Sequence, residues 1–239
     1  MNSLNILSGG AAHGLVGSLA SAFKAQTGFE IAGEFGAVGV MADKLRKGTP
    51  TDIVILTAAL VAKLAEEKLV VATSIADVGL VETALAVRTG DPLAAVRDAA
   101  DLREALLASD AIFVPDTKAS TAGIHVANVL QQLGIADEVA ARLRIFPNGA
   151  TAMRELAASE ARRPIGCTQS TEIISTKDLT LSGSLPPGCE LATMYTAGIT
   201  AAAAHPQQAQ HLIDLLTGAT QYEQRKRAGF INPRSQTPT

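Results

Sequence analysis

The sequence predicts an α/β protein in which mostly parallel sheets are flanked by helices, and two observations carry this prediction. Short apolar segments alternate with amphipathic ones, which is typical of strands joined by crossover helices. In the first amphipathic segment Leu15, Leu19 and Phe23 recur at every fourth position and therefore share one helix face. The second observation is the run Asp52–Thr57, whose uninterrupted apolar centre indicates a strand covered on both faces.

The other elements follow from the same periodicities and from residues that end helices. Gly28, Gly48 and Gly134 each follow an amphipathic segment, at the position where helices commonly end. We predict further strands at Leu4–Ile6, Glu30–Phe35, Ala84–Arg88, Ala111–Val114, Leu143–Phe146, Pro164–Thr168 and Leu191–Ile199. Besides the helices after the first two strands, we predict helices at Ala58–Leu69, Asp101–Ser109, from the loop at 115–123 to about Leu133, Ala150–Ala158, Gln207–Leu216 and Gln221–Ala228.

The chain changes character near Val81–Glu82, where a strand leaves the first group of elements. The strand Leu191–Ile199 is the predicted return path. We therefore predict two lobes with a ligand cleft between them, lobe 1 formed by 1–81 plus 195–239 and lobe 2 by 82–194.

The composition excludes several classes of protein. Of 239 residues, 47% are hydrophobic, enough for a buried core and too many for a disordered chain. A net charge of −3 and an aromatic content of 3% provide neither the basic surface nor the stacking side chains of a nucleic-acid partner. Two cysteines are too few for a disulfide framework or a structural zinc site, so we expect no metal.

The amino terminus bears on the compartment. Met1-Asn2-Ser3 leads directly into a predicted strand, without the basic segment and apolar stretch of a secretory leader. We therefore expect a cytoplasmic protein, or a periplasmic one if a leader has been removed. Since no apolar segment reaches the roughly 20 residues of a membrane span, we expect no membrane insertion. The sequence leaves the oligomeric state open.

Five predicted turns between a strand and a helix are rich in Gly, Ser, Thr and Asn. In open α/β sheets ligands bind beyond the carboxyl ends of the strands, where helix amino termini offer free N–H groups to anions. Each turn alone is explained by helix capping, whereas five together favour a cleft for a small anionic ligand. The turns are Ser8–Gly10, Gly36–Gly39, Thr57, Ser120–Gly123 and Asn148–Thr151.

The chain resembles the molybdate-binding family of type II periplasmic solute-binding proteins over nearly its whole length. The resemblance is carried by Ile6–Ala12 (ILSGGAA), Phe35–Gly39 (FGAVG), Lys47–Ile55 (KGTPTDIVI) and Ala122–Ile124 (AGI). It implies two α/β lobes around a cleft that closes on a small anion.

Three side-chain donors of that family are absent at the positions that match them. Ala11, Val38 and Gln169 stand where the family has two serines and a tyrosine. Since a charge-assisted hydrogen bond contributes roughly 1.5–3 kcal/mol, the loss weakens a molybdate site by orders of magnitude. Backbone amides at Ala122 and Gly149 remain available.

The same fold also includes aconitate isomerase, which moves a double bond in a tricarboxylate by proton transfer and needs no cofactor. Such chemistry requires a general base near neutral pKa and donors that stabilise developing charge. We therefore favour an isomerase acting on a small unsaturated polycarboxylate, with His13, Lys118 and Glu172 as catalytic candidates. Each has a structural alternative: His13 as a surface residue, Lys118 as a solvated loop residue and Glu172 as a helix cap.

The predicted ligand-binding residues all belong to the polar turns or to the end of the strand at 164–168. They are Ser8, Gly9, Gly10, Ala37, Val38, Thr57, Ser120, Thr121, Ala122, Asn148, Gly149, Ala150, Thr168 and Gln169. The alternative function is an oxyanion-binding receptor of an ABC transporter without catalytic activity.

Overall fold

The computed structural model describes residues 2–231, which form strands and helices in close alternation. Met1 and 232–239, which the predicted lobe 1 includes, lie outside the described residues. The strands are β1 (Ser3–Gly9), β2 (Glu30–Gly36), β3 (Ile53–Thr57), β4 (Ala76–Arg88), β5 (Ala111–Pro115), β6 (Leu143–Phe146), β7 (Pro164–Gln169), β8 (Leu179–Ser184) and β9 (Ala192–Ile199). The α-helices are α1 (His13–Thr27), α2 (Val38–Arg46), α3 (Ala58–Glu66), α4 (Ala99–Ala108), α5 (Thr121–Gln132), α6 (Ala136–Val139), α7 (Gly149–Ala157), α8 (Ser170–Ile174), α9 (Pro206–Thr217) and α10 (Tyr222–Arg227).

The strands form one hydrogen-bonded path in the order β2-β1-β3-β9-β4-β7-β5-β6, and β8 pairs with β4 beside it. Three strands run parallel at each end of this path, β2-β1-β3 and β7-β5-β6. The strands β4 and β9 pair antiparallel with their neighbours between the two parallel groups. The architecture is therefore two α/β lobes joined through antiparallel strands.

The long strand β4 passes from one group of strands to the other. Ala76–Glu82 pair with β9, whereas Thr83–Ala86 pair with β7. The side chains that β4 and β9 carry at this crossing therefore lie where the two lobes meet.

Separate apolar cores underlie the two groups of strands. One core draws its buried side chains from 4–81 and 195–230, with Phe23 and Leu56 fully buried. Two further cores draw theirs from 84–189. These cores agree with the predicted lobe boundaries, which stay a prediction.

Two strands differ from the sequence prediction, and the short helices α6 and α8 were not predicted. The strand expected at Ala84–Arg88 begins at Ala76, because its first half pairs with β9 in the other lobe. The strand β8 was not predicted, because only Leu179 and Leu181 alternate with polar residues before Gly183, and this pattern is too short to mark a strand in a sequence.

Asp52 connects three segments of the first lobe by hydrogen bonds. Its carboxylate accepts hydrogen bonds from the Asn5 and His205 backbone N–H groups, each at 2.8 Å. Its own N–H donates to the Asn5 carbonyl at 2.9 Å, and its side chain is 1% exposed. The carboxylate therefore links β1, the chain before β3 and the loop before α9.

We expect Asp52→Ala to lower the free energy of unfolding by about 3 kcal/mol, because two buried N–H groups lose a charged acceptor. Urea denaturation measures the change. The control is Asp43→Ala, which removes an exposed ion pair with Arg46 and changes stability by no more than about 1 kcal/mol. Equal effects of the two substitutions would contradict this role of Asp52.

Candidate functional site

A narrow cleft lies where the two lobes meet, and its walls come from both. The lobe 1 wall is formed by the ends of β1 and β2 with the beginning of α2, and the lobe 2 wall by the beginnings of α5, α7 and α8. The lining residues are Gly10, Ala11, Gly36, Ala37, Val38, Ser120, Thr121, Ala122, Asn148, Gly149, Gln169, Glu172 and Tyr195.

Three helices of at least two turns, α2, α5 and α7, direct their amino termini into the cleft. The N-cap residues Ala37 and Ser120 make no side-chain capping bond to α2 and α5. At α7, Asn148 accepts from the Thr151 N–H at 2.8 Å. Because first-turn N–H groups have no partner within their helix and the helix dipole is positive at this end, the cleft suits a negatively charged group.

The Glu172 carboxyl group lies in the centre of the cleft. Thr168 Oγ1 donates to its Oε2 at 2.6 Å, and the backbone N–H groups of Ala150 and Gln169 donate to the carboxylate as well. Glu172 is 6% exposed. Burial raises its pKa to about 7 from the usual 4.5, although these hydrogen bonds act in the opposite direction.

Two glycines from opposite lobes leave the space that this carboxyl group occupies. A Cβ atom at Gly10 would lie 2.3 Å from Glu172 Oε1, and a Cβ atom at Gly149 would lie 1.8 Å from Oε2. Neither distance is sterically tolerable, so a side chain at either glycine would displace the carboxyl group. Glycine at both positions therefore allows Glu172 to sit between the lobes.

Tyr195 projects from β9 into the same cleft and is 3% exposed. Its ring packs against Gly9, where a Cβ atom would lie 2.9 Å from Cε1. Burial and the Glu172 carboxylate both raise the pKa of the phenol. Tyr195 therefore stays protonated at neutral pH and is a hydrogen-bond donor on the lobe 1 side.

Gln169 contributes a carboxamide without partners. The residue is 3% exposed and lines the cleft, and neither Nε2 nor Oε1 has a hydrogen-bond partner among the described residues. A buried polar atom left unpaired costs about 1–3 kcal/mol. A bound molecule that pairs with both atoms would recover this free energy.

The cleft is nearly closed and carries no positive side chain within the described residues. Its cavity volume is about 20 Å³, and roughly 10–15 Å³ is enough for one water molecule. A ligand of several heavy atoms therefore requires the lobes to separate or the lining side chains to move. Among the residues that the structure describes, the helix amino termini are the only source of positive potential in its lining.

The structure brings ten of the predicted ligand-binding residues and catalytic candidates into the cleft lining. These are Gly10, Ala37, Val38, Ser120, Thr121, Ala122, Asn148, Gly149, Gln169 and Glu172. Thr168 and Ala150 stand behind them as donors to Glu172. Gly9 packs against Tyr195, and Thr57 pairs with Tyr195 in the ladder between β3 and β9.

Three predicted residues lie elsewhere. Ser8 is fully buried and donates its hydroxyl to the Gly9 carbonyl at 2.9 Å. His13 is exposed, packs edge-to-face on Phe35 and lines a separate groove of about 460 Å³. Lys118 is exposed in the loop before α5, where its backbone N–H donates to Asp116. The structural alternatives describe His13 and Lys118 better than catalysis does.

Sequence reasoning did not select Tyr195, Ala11 or Gly36 as site residues. Gly36 lies inside a turn that was recognised as polar and Ala11 directly follows another, so proximity in sequence was a usable signal. Tyr195 carries no such signal, because it lies within an apolar strand and reaches the cleft only through the pairing of β9 with β3 and β4.

Within residues 2–231, no cluster of three or more His, Cys, Asp and Glu side chains is arranged to hold a metal ion. Within the same residues, no helix has the length and apolarity needed to cross a bilayer.

Comparisons with known structures identify the fold. The periplasmic molybdate-binding protein of Azotobacter vinelandii is 19% identical, with a TM-score of 0.81 that covers 97% of this chain and all of that one. The sulfate-binding protein of Mycobacterium tuberculosis H37Rv is 17% identical, with a TM-score of 0.74 over 98% of this chain and 88% of that one. The fold is that of type II solute-binding proteins.

Sequence comparisons identify the family. Aconitate isomerase from a Pseudomonas species is 23% identical over 227 residues, which cover 90% of this chain and 82% of the relative. Residues 4–231 match the family model described as bacterial extracellular solute-binding protein. The chain therefore belongs to the family of bacterial extracellular solute-binding proteins.

Proposed function

We propose that this protein binds a small unsaturated polycarboxylate in the cleft and shifts its carbon–carbon double bond, with Glu172 carrying the proton. The observation that supports the proposal best is the position of Glu172. Its carboxyl group is buried beside three helix amino termini and has a pKa of about 7. A general acid–base group works best when its pKa lies near the working pH.

The reaction that we propose conserves atoms and electrons without a cofactor. The Glu172 carboxylate takes a proton from the saturated carbon next to a substrate carboxylate. The electron pair of that C–H bond forms the new double bond, and the old double bond opens. Glu172 then returns the proton to the far carbon of the former double bond.

The surroundings of Glu172 fit the charge that this reaction develops. In the transition state, negative charge moves onto the oxygens of the substrate carboxylate. The first-turn N–H groups of α5, which no side chain caps, face the cleft and can donate to such oxygens. Tyr195 supplies a protonated hydroxyl group on the opposite wall.

His13 and Lys118 do not take part in the mechanism that we propose. Neither side chain lines the cleft, and both are exposed to solvent. A base must come within hydrogen-bond reach of the proton that it abstracts, and Glu172 is the candidate nearest to any bound ligand.

The 23% identity to an aconitate isomerase supports this proposal, since it extends over 90% of the chain. The description of the family as extracellular supports the periplasm as the compartment, which is the second of the two expected locations.

The alternative function is that of a receptor for an inorganic oxyanion. The likeness to molybdate- and sulfate-binding proteins favours it. Two features of the lining oppose it: Ala11 and Val38 provide no hydroxyl donors, and the Glu172 carboxyl group presents acceptors where a fully ionised oxyanion needs donors.

The catalytic role of Glu172 is tested by Glu172→Gln, which keeps the shape of the side chain and removes its acid–base function. We expect turnover of trans-aconitate, followed by proton NMR in deuterated buffer, to fall at least about 100-fold. His13→Gln and Lys118→Gln are the controls, and we expect both to stay within a few-fold of the wild-type rate.

Retention of a tenth or more of the wild-type rate in Glu172→Gln would contradict this role. If the wild-type protein forms no isomer and incorporates no deuterium, while sulfate or molybdate raises its Tm, the receptor is the better description.

We also expect Glu172→Gln to change how the stability of the protein depends on pH. Because the folded pKa of about 7 lies above the usual 4.5, folding favours the protonated carboxyl group. This contribution is complete below pH 4.5 and is lost as the pH rises through about 7. We expect Glu172→Gln to gain stability relative to wild type between pH 5 and pH 8, by up to about 3 kcal/mol.

Urea denaturation of both proteins at each pH measures this difference. A constant difference between pH 5 and pH 8 would show that Glu172 titrates at the same pH in the folded and unfolded states.

A further inference from the structure

The Gln169 carboxamide is held in place at the floor of the cleft. Its backbone pairs with Thr83 as the last residue of β7, and the same residue is the N-cap of α8. The side chain lines the cleft, and the residue is 3% exposed. Both its donor, Nε2, and its acceptor, Oε1, lack a partner among the described residues.

The neighbouring groups do not provide these partners. The Glu172 carboxyl group already accepts from Thr168 and from two backbone N–H groups, and the Gln169 backbone supplies one of them. Tyr195 lines the opposite wall. A molecule in the cleft can therefore supply the missing partners of the carboxamide.

A carboxamide that must use both atoms selects the chemistry of its partner. An ionised carboxylate or a sulfate ion has only acceptors, so it pairs with Nε2 and leaves Oε1 unpaired. A protonated carboxyl group or another carboxamide has a donor and an acceptor side by side, so it pairs with both atoms in two antiparallel hydrogen bonds.

We propose that Gln169 determines specificity by binding an uncharged group of the ligand that both donates and accepts, while the helix amino termini hold an ionised carboxylate. The inference rests on the proposed function, because it describes one end of the same substrate. The preferred ligand is then a small polycarboxylate bound with one carboxyl group protonated, or an acid that carries a carboxamide there.

The charge of the cleft supports this assignment. Glu172 follows Gln169 by one turn of chain, and no cationic side chain among the described residues lines the cleft to balance a second charge. Two ionised carboxylates beside Glu172 would repel it and each other in a buried site. An uncharged group at Gln169 removes this repulsion.

Thr193 at the junction of the lobes provides a control. Its Oγ1 is buried and, among the described residues, unpartnered as the Gln169 carboxamide is, but the residue does not line the cleft. Replacement by valine removes the hydroxyl group at nearly constant volume and leaves the cleft lining unchanged.

The test is calorimetric titration at pH 8 with succinate and succinamate, which differ only in one carboxylate or carboxamide group. Both succinate carboxyl groups are ionised at this pH, because free carboxyl groups have pKa values near 4. We expect wild-type protein to bind succinamate at least about tenfold more tightly than succinate. Gln169→Leu and Gln169→Met should lose this preference, and Thr193→Val should keep it.

Titration with succinate at pH 5 distinguishes the two uncharged groups that Gln169 could bind, a protonated carboxyl group and a carboxamide. Glu172 is present in every variant compared, so only a difference between proteins reports on Gln169. A larger gain in succinate affinity from pH 8 to pH 5 in wild type than in Gln169→Leu identifies a protonated carboxyl group, and an equal gain identifies the carboxamide.

Succinate binding as tight as succinamate binding in wild type would overturn the proposal, and so would a preference that survives in Gln169→Leu. The proposed function and the role of Gln169 are tested separately. Absence of turnover with the succinamate preference intact contradicts the proposed function alone. Turnover without the preference contradicts the role of Gln169 alone.

Discussion

The burial of one carboxyl group between two lobes is the constraint on which the site depends. Glu172 belongs to the short helix α8 of lobe 2, yet its oxygens lie against Gly10 of lobe 1 as well as Gly149 of lobe 2. Such a group is unfavourable in a protein interior unless it is hydrogen-bonded or protonated. Here it is hydrogen-bonded by Thr168 and two backbone N–H groups, and its pKa is raised to about 7.

This arrangement connects the family fold to a chemistry that the fold alone does not require. Helix amino termini around a cleft are sufficient for an anion receptor, and solved molybdate- and sulfate-binding proteins share the fold. In this chain, Ala11 and Val38 provide no hydroxyl donors, whereas Glu172, Tyr195 and Gln169 provide groups that can exchange protons or both donate and accept hydrogen bonds. These groups are the basis on which we propose a partly protonated organic acid as the ligand.

Much of the fold followed from local patterns, because those patterns report burial directly. The apolar run at Asp52–Thr57 became the buried strand β3, and four of the five polar turns line one cleft. The strand β8 was not predicted, because its alternation of leucine and polar residues ends after Leu181 and is too short to mark a strand. Position soon after a predicted strand selected Glu172 as a candidate but also selected His13 and Lys118, since sequence does not give the direction of a side chain.

The remaining site features depend on tertiary structure. Tyr195 enters the cleft through pairing between distant strands, and the unpartnered state of Gln169 is visible only when every neighbour is placed. The raised pKa of Glu172 likewise comes from burial between lobes that are far apart in the chain. No sequence window contains these relationships.

The central claim is that Glu172 is an acid–base group poised near neutrality inside the cleft. Carbon-13 NMR of protein labelled at the glutamate side-chain carboxyl carbons measures this directly as a function of pH. The account predicts one carboxyl resonance with a midpoint near pH 7 that is missing in Glu172→Gln. A spectrum in which every glutamate titrates below pH 5 would contradict it.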